Sequence, residues 1–327
     1  MPISTTDFPA LTDDLQTIFN STAKMKIADS VGMKIFGVRE TNRRTHDHLT
    51  LHGADAIREV TPGADLPTVT LDQGDTITYT QRYFGGKFAV TKAMRKFDLY
   101  EQIESLARNT TVDAFDKVDY SMADVLTFGT STSYTDIYGG TVTATGPDGL
   151  ALFNASHTFG IAGLTRTYSN ITTDGTNSNP ALSRQAVVRT RARAMAFRDA
   201  AGNFRPVRLD TIVVAPTNED LAERIVFSNQ MSGTGNNDTN PLKGKIKQIL
   251  TWERIDTRSD GTDTSAYWFL CDSSQASETL KAFFAERPTL DAPEQVYKNK
   301  NWEYTVDYFY SWGFGFQAFV NGSTGVN

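Results

Sequence analysis

Residues 98–128 read DLYEQIESLARNTTVDAFDKVDYSMADVLTF, and this stretch decides the fold. Asp98 with Glu101 three residues later has the form of a capping box, and acids at a helix start suit the helix dipole. Beyond it Ile103, Leu106, Ala107, Val112, Phe115, Val118, Met122, Val125 and Leu126 recur at helical spacing, with Asp113, Asp116, Lys117, Asp119 and Asp124 between them as the polar side. Gly129 supplies the stop. At 1.5 Å per residue such a helix is on the order of 45 Å long, a spine for the chain. Asn109-Thr110-Thr111, three poor helix formers in a row, mark the place for a kink.

Working outward toward the N-terminus, residues 33–92 change period. Met33, Ile35 and Val38, then Leu49 and Leu51, then Val69, Leu71, Ile77 and Tyr79, and finally Phe88 and Val90 alternate as strands do, with Pro62-Gly63, Pro67, Gly74 and Gly85-Gly86 punctuating them. The region reads as a long β-ribbon with too few bulky residues for a core of its own, so it must lie on something else. Ahead of it, Leu11 to Ala23 forms a short helix with Leu15, Ile18 and Phe19 on one side. Packing on its own domain and reaching a neighbour are equally open readings for that helix.

Beyond the spine, Pro147-Asp148-Gly149 is a turn signal followed by a short apolar run. Thr165 to Asn179 reads as a polar loop. A second helix spans Leu182 to Asp199, with Ala186, Val187, Ala194, Met195 and Phe197 inward. Arg184, Arg189, Arg191, Arg193 and Arg198 on that helix are candidate intersubunit or DNA-facing residues, and they fit nucleic-acid phosphates, an acidic protein surface or plain solvation. Leu209 to Ala215 is a buried strand, and Pro216-Thr217 opens a third helix with Leu221, Ala222 and Ile225 inward. Met231 to Pro241 reads as a mobile tip without a phosphate-loop pattern. Ile246–Trp252, Tyr267–Cys271 and Leu280–Phe284 are strands, and the aromatic segment Trp302 to Val320 is expected to be a hairpin turning near Ser311 to Gly313.

Catalytic and metal constellations are sparse. His46 and His48 share a strand face, with His52 nearby, but a polar ribbon face accounts for them better than a metal site, and no metal or cofactor is expected. Ser156-His157 is adjacent in sequence without a third group, so a structural loop is the reading and no enzyme is expected. The single cysteine, Cys271, excludes an intrachain disulfide and reads as a buried thiol. A formal charge of −6 gives no general affinity for nucleic acid, and no apolar run reaches the length of a membrane span. The N-terminal MPISTTDFPAL lacks the basic and apolar regions of a secretory signal, which fits synthesis in a cytoplasm.

The order of parts, with DGLALFNASHTF (148–159), LSRQAVVRTRARAMAFRDAAGNFRPVRLDTIVVAPTNEDLAERI (182–225), NPLKGKIKQILTWERID (240–256) and AFFAERPTLDAPEQVYKNKNWEYTVDYFYSWGFGF (282–316), resembles the major capsid proteins of tailed bacteriophages, the Hong Kong ninety-seven type fold, and most of all the Mu-like head-subunit branch. The resemblance implies an α+β fold: an N-terminal arm over 1–32, an extended β-ribbon loop region over 33–92 whose part from Thr61 to about Lys87 overlaps an adjacent subunit, a peripheral domain with the spine helix over 93–181, an axial domain over 182–271 with Met231–Pro241 near the symmetry axis, and a C-terminal return to the peripheral domain over 272–327.

It further implies a subunit that self-assembles into pentamers and hexamers, forming the icosahedral head shell around the phage DNA. Scaffold, portal and possibly decoration proteins would be its partners, packaged double-stranded DNA would make only weak non-specific contact, and no membrane is involved. The place of work is the virion, after assembly in the host cytoplasm. With the arm starting almost at Met1, a separate scaffold or an already matured chain is implied. Lys87 lies where some members cross-link, but no catalytic carboxylate partner is recognisable. A tail-tube or decoration protein is the alternative, and the long spine with two later helices speaks against a mostly β ring.

Overall fold

The computed structural model describes residues 8–52, 59–61, 63, 65, 72–97, 100–161, 164–199, 202–230, 239–296, 298 and 300–325. The Asp98 cap, the inner part of the 61–87 ribbon with Val69 and Leu71, and most of the 231–241 tip lie outside the described residues.

In chain order the elements begin with α1 (Phe8–Asp29), α2 (Gly32–Ile35), β1 (Gly37–Glu40), β2 (Thr45–His52), β3 (Asp72–Thr80), β4 (Arg82–Val90), α3 (Lys92–Lys96) and the spine α4 (Tyr100–Thr127). The spine is one continuous helix through the Asn109-Thr110-Thr111 triplet, where Thr110 and Thr111 turn their hydroxyls back onto the carbonyls of Leu106 and Ala107, each at 2.8 Å. Leu11, Leu15, Phe19 and Ala23 of α1 are buried, and α1 packs along α4 of the same chain, which resolves the two readings of that helix. Met33 and Ile35 stand in the short α2 rather than in a strand. Gly32 there passes so close to the spine that a Cβ would lie 2.7 Å from Met122 Sδ.

Next come β5 (Ser133–Thr135), β6 (Thr141–Thr143), β7 (His157–Ile161), β8 (Leu164–Tyr168), α5 (Arg184–Met195), β9 (Thr211–Val214), α6 (Glu219–Phe227) and β10 (Gln248–Thr251). The chain then runs through β11 (Trp268–Cys271), α7 (Ala276–Thr279), β12 (Leu280–Leu290), β13 (Glu294–Val296), β14 (Asn301–Phe314) and β15 (Val320–Ser323). The 165–179 segment is therefore not all loop, since its first residues pair back onto β7 as a hairpin. Met195 is exposed rather than inward, while Ala186, Val187 and Ala194 are buried as expected.

Two sheets organise these parts. The first runs β1-β12-β14-β13, with β4 also paired to β14. The second runs β10-β9-β11-β15. The aromatic segment is not a hairpin. Tyr304, Val306, Tyr308, Tyr310, Trp312 and Phe314 keep one parity, all buried, straight through Ser311 to Gly313, so β14 is a single 14-residue strand. Gly313 stays in the strand because a Cβ there would meet the ring of Tyr79 at 2.8 Å. Pro288, with no N–H to give, sits at the break in the β12–β14 register between Glu286 and Thr289. After β14 the last strand, β15, pairs with β11 in the second sheet.

The inner face of the second sheet (Val213, Phe269, Cys271) shares one core with the spine and the first sheet. Its outer face (Ile212, Val214, Trp268, Leu270) packs under α5 and α6. Phe153 joins the two halves, lying where a Cβ on Gly129 or on Gly322 would come within 2.6 Å of its ring and stacking on Phe269. Gly129 thus ends the spine through this close approach, not through a left-handed backbone.

Candidate intersubunit and nucleic-acid surfaces

The ribbon is the part that leaves the body. β2 and β3 pair only with each other, and alternation divides them: His46, His48, Ile77 and Tyr79 turn inward, while Thr45, Asp47, Leu49, Thr76, Thr78 and Thr80 are exposed. At the root, His46 and Tyr79 pack on Phe283 with ring centroids 4.4 and 5.1 Å away. Beneath this root is a cleft of about 320 Å³ between Tyr79, Arg82, Tyr134 and Trp312. Arg82 is ion-paired there to the buried Asp136 and lies over the Phe84 and Trp312 rings. The inward face is thus packing surface. Among the described residues no group of His, Cys, Asp and Glu is arranged to hold a metal. Burial, with the nearby Lys281, pushes the His48 value down.

Asp113 and Lys117 pair in solvent, but the rest of the spine's polar side is a junction. Asp116 takes Lys26 of α1 and Arg254 of the turn after β10, both at 2.9 Å. Asp119 accepts from Ser30 and, at 2.8 Å, from the indole of the buried Trp252. Asp124, 1 % exposed, accepts only a 3.4 Å bond from Ser259 N–H, leaving Oδ2 without a partner. Burial pushes its carboxyl up to about 6, with Asp136 and Asp260 adding repulsion. The same helix thereby carries the N-terminal helix, the first sheet and the second sheet.

His157 is buried. Its Nδ1 meets Asp148 Oδ2 at 2.6 Å and its Nε2 lies 3.1 Å from both Leu152 O and Asn170 Oδ1. Against a burial cost that raises it, the hydrogen bond and charge of His157 hold Asp148 below the usual carboxylate range. Both ring nitrogens are occupied by groups that tie the 148–157 loop to residue 170, and the Ser156 side chain has no part in the set. Cys271 is buried and its thiol is pushed up to about 12 by burial, which makes it a packing residue.

The five arginines do not act as one set. Arg191 Nε donates to Leu209 O at 2.8 Å, and Arg193 donates to Ile171 O. Arg184 is half-buried, Arg189 exposed, and Arg198 exposed over the Phe204 ring at 3.6 Å while donating to Gly202 O at 2.7 Å. Among the described residues none of the five is in an ion pair. Sequence reasoning missed Arg166 on β8, whose guanidinium comes to the same place: a Cβ at Gly202, which has a φ of +97°, would lie 2.5 Å from Arg166 Nη2. A strand read as a loop gave no signal for it. Lys87, on β4, is ion-paired to Glu303 of β14 at 2.7 Å. No helix among the described residues is long and apolar enough to cross a membrane.

No curated protein matches the chain in sequence. Among solved structures, the capsid of Myoviridae phage XM1 is 13% identical over 89% of this chain and 90% of that one, with a TM-score of 0.52. The capsid of an empty GTA particle is 11% identical over 90% and 96%, with a TM-score of 0.49. The first likeness gives the fold. The family described as phage capsid protein matches residues 74–321, which decides between a capsid and a tail-tube subunit, and the chain belongs to that family as a protein of the virion shell.

Proposed function

We propose that the chain is the major head subunit of a tailed phage, of the Mu-like branch, and that its copies form pentamers and hexamers closing an icosahedral shell around DNA. The observation that carries this is the ribbon: a long two-stranded element with one exposed face and no third strand among the described residues, attached to a body built on a five-stranded and a four-stranded sheet. An isolated hairpin is marginal in water, so β2–β3 is built to gain its second surface from a neighbouring copy. In this reading 1–32 is the N-terminal arm, its helix laid along the spine of its own chain, 33–92 the ribbon region, 93–181 and 272–327 the peripheral domain, and 182–271 the axial domain. The chain works by assembly and not by turnover, with a scaffold, a portal and possibly decoration proteins as partners.

Contact with packaged DNA is weak in this scheme, because a net charge of −6 repels it and, of the five arginines on the 184–198 segment, Arg189 and Arg198 are the exposed ones that could approach it. Negative-stain microscopy with light scattering of the purified chain, alone and with a candidate scaffold, tests the proposal. Closed shells or five- and six-fold rings are expected. Open tubes, or monomers in both samples, would refute it.

A further inference from the structure

A cleft of about 350 Å³ opens between the C-terminal end of α5, the β7–β8 hairpin and β15. Three guanidiniums, Arg166, Arg193 and Arg198, line it, and no carboxylate does. Its wall is aromatic, Phe159, Tyr168 and Phe197, with centroids 5.4 Å apart in each pairing. Arg193 spends one nitrogen on Ile171 O, while its Nε is buried without a hydrogen bond. Burial with no neighbouring acid holds its value below the usual guanidinium range. Arg166 and Arg198 converge at Gly202 on the rim. Such a site is electrostatically incomplete: three cations share a concave, partly desolvated surface that the described part of the chain does not neutralise.

The missing charge is found on the far side of the same sheet. The order β10-β9-β11-β15 puts this cleft at the β15 edge, while α6 packs over β10 and β9 at the other. The segment 184–198 holds five arginines and no acid. On α6, Glu219, Asp220 and Glu223 are all exposed, against one base, Arg224, which is already paired to Asp220 at 2.5 Å. Glu219 and Glu223 stand four residues apart and share a face. The four-stranded unit therefore carries an arginine cleft at one edge and an acidic helix face at the other.

We propose that the arginine cleft beside α5 receives the acidic face of α6 from a second copy of this chain, head to tail. Unlike edges joined in this way make a heterologous contact, and a heterologous contact that closes gives a ring, so the pairing sets both the neighbour and the direction of travel around a capsomer. It rests on the capsomer reading and adds the contact that holds one. A phosphodiester has no use for the aromatic wall, whereas a helix face with carboxylates beside the exposed Phe227 matches both the cations and the rings.

Charge reversal tests it, with particle yield measured by sedimentation and microscopy and folding checked by thermal melting. Arg166→Glu with Arg198→Glu is expected to lower yield at least about tenfold, Glu219→Lys with Glu223→Lys to do the same, and the chain carrying all four to recover most of it. The four-fold variant carries the same helix-end changes as the second pair, so local damage to α6 would not be rescued. Unimpaired assembly of either pair, or loss without rescue, overturns the proposal. So does normal shell yield with lost DNA retention, which would give the cleft to nucleic acid. If the unaltered chain forms neither rings nor shells even with scaffold, it is the capsomer reading that fails.

Discussion

The four-stranded sheet, with its apolar runs, and the β2–β3 ribbon, with its polar alternation, end in opposite states. Every residue of Thr211–Val214, Trp268–Cys271 and Val320–Ser323 is buried, one face on the spine's core and the other beneath α5 and α6. On the ribbon the outward residues are all exposed and the inward ones are held mainly at the root, by Tyr79 and His46 on Phe283. A sheet covered on both faces carries its stability inside the chain; a ribbon covered on one is stabilised by whatever it lies on. The shell's rigid part and its interlocking part are thus separated by burial rather than by secondary-structure type.

The largest expected effect would break the covered sheet. Trp268 is fully buried between β9 and β15, with its indole N–H donating to Pro180 O at 3.0 Å. Trp268→Ala opens a cavity under α5 and removes one of the two donors to that carbonyl, which keeps Ser323 Oγ at 2.7 Å, at a cost of roughly 3–5 kcal/mol. Denaturant unfolding of the purified variant should show that loss, and a change below about 1 kcal/mol would mean the second sheet is not the rigid half.

A second effect lies at the joint between the halves and has the opposite sign. Because burial raises Asp124 to about 6, the folded chain holds a proton that the unfolded chain releases between about pH 4 and pH 6, so this group's contribution falls as pH rises through that window. Asp124→Asn removes the buried charge and its repulsion with Asp136 and Asp260. A gain on the order of 1–3 kcal/mol is expected at pH 7.5, shrinking toward zero at pH 4 to 5, and parallel melts of the two chains across that range check it. A constant difference at all pH values would remove the buried charge as its cause.

Much of this architecture was legible in residues. The spine announced itself through its apolar spacing, and the strand at 209–215 through a run with no polar break. What misled was local punctuation read without parity: Ser311-Trp312-Gly313 looks like a turn, yet the buried even-numbered positions pass through it unshifted, and Gly313 is there for the ring of Tyr79. The acids of the spine were hidden for a different reason. Asp116, Asp119 and Asp124 occupy helix positions that solvent normally claims, and only the arrival of Lys26, Arg254, Trp252 and Ser259 from distant segments makes them interior. The arginine cleft needed the β7–β8 hairpin, whose glycine and threonine content resembles a loop.

The smallest effect on the isolated chain sharpens the comparison most. Leu49 is exposed on the ribbon's outward face, opposite Thr76 and among threonines. Leu49→Ser costs the free chain little, within about 0.5 kcal/mol, because there is almost no burial to lose. If that face meets a neighbouring copy, the same substitution removes an apolar contact repeated at every subunit, and shells should dissociate at lower denaturant while monomers melt unchanged. Hydrogen exchange gives the direct reading: amides of β2 and β3 should exchange far faster than those of β9 and β11 in the free chain, and slow markedly in the shell. Equal protection of the ribbon in both states would mean that it is stabilised from within the chain, and the contrast between the two regions would fail.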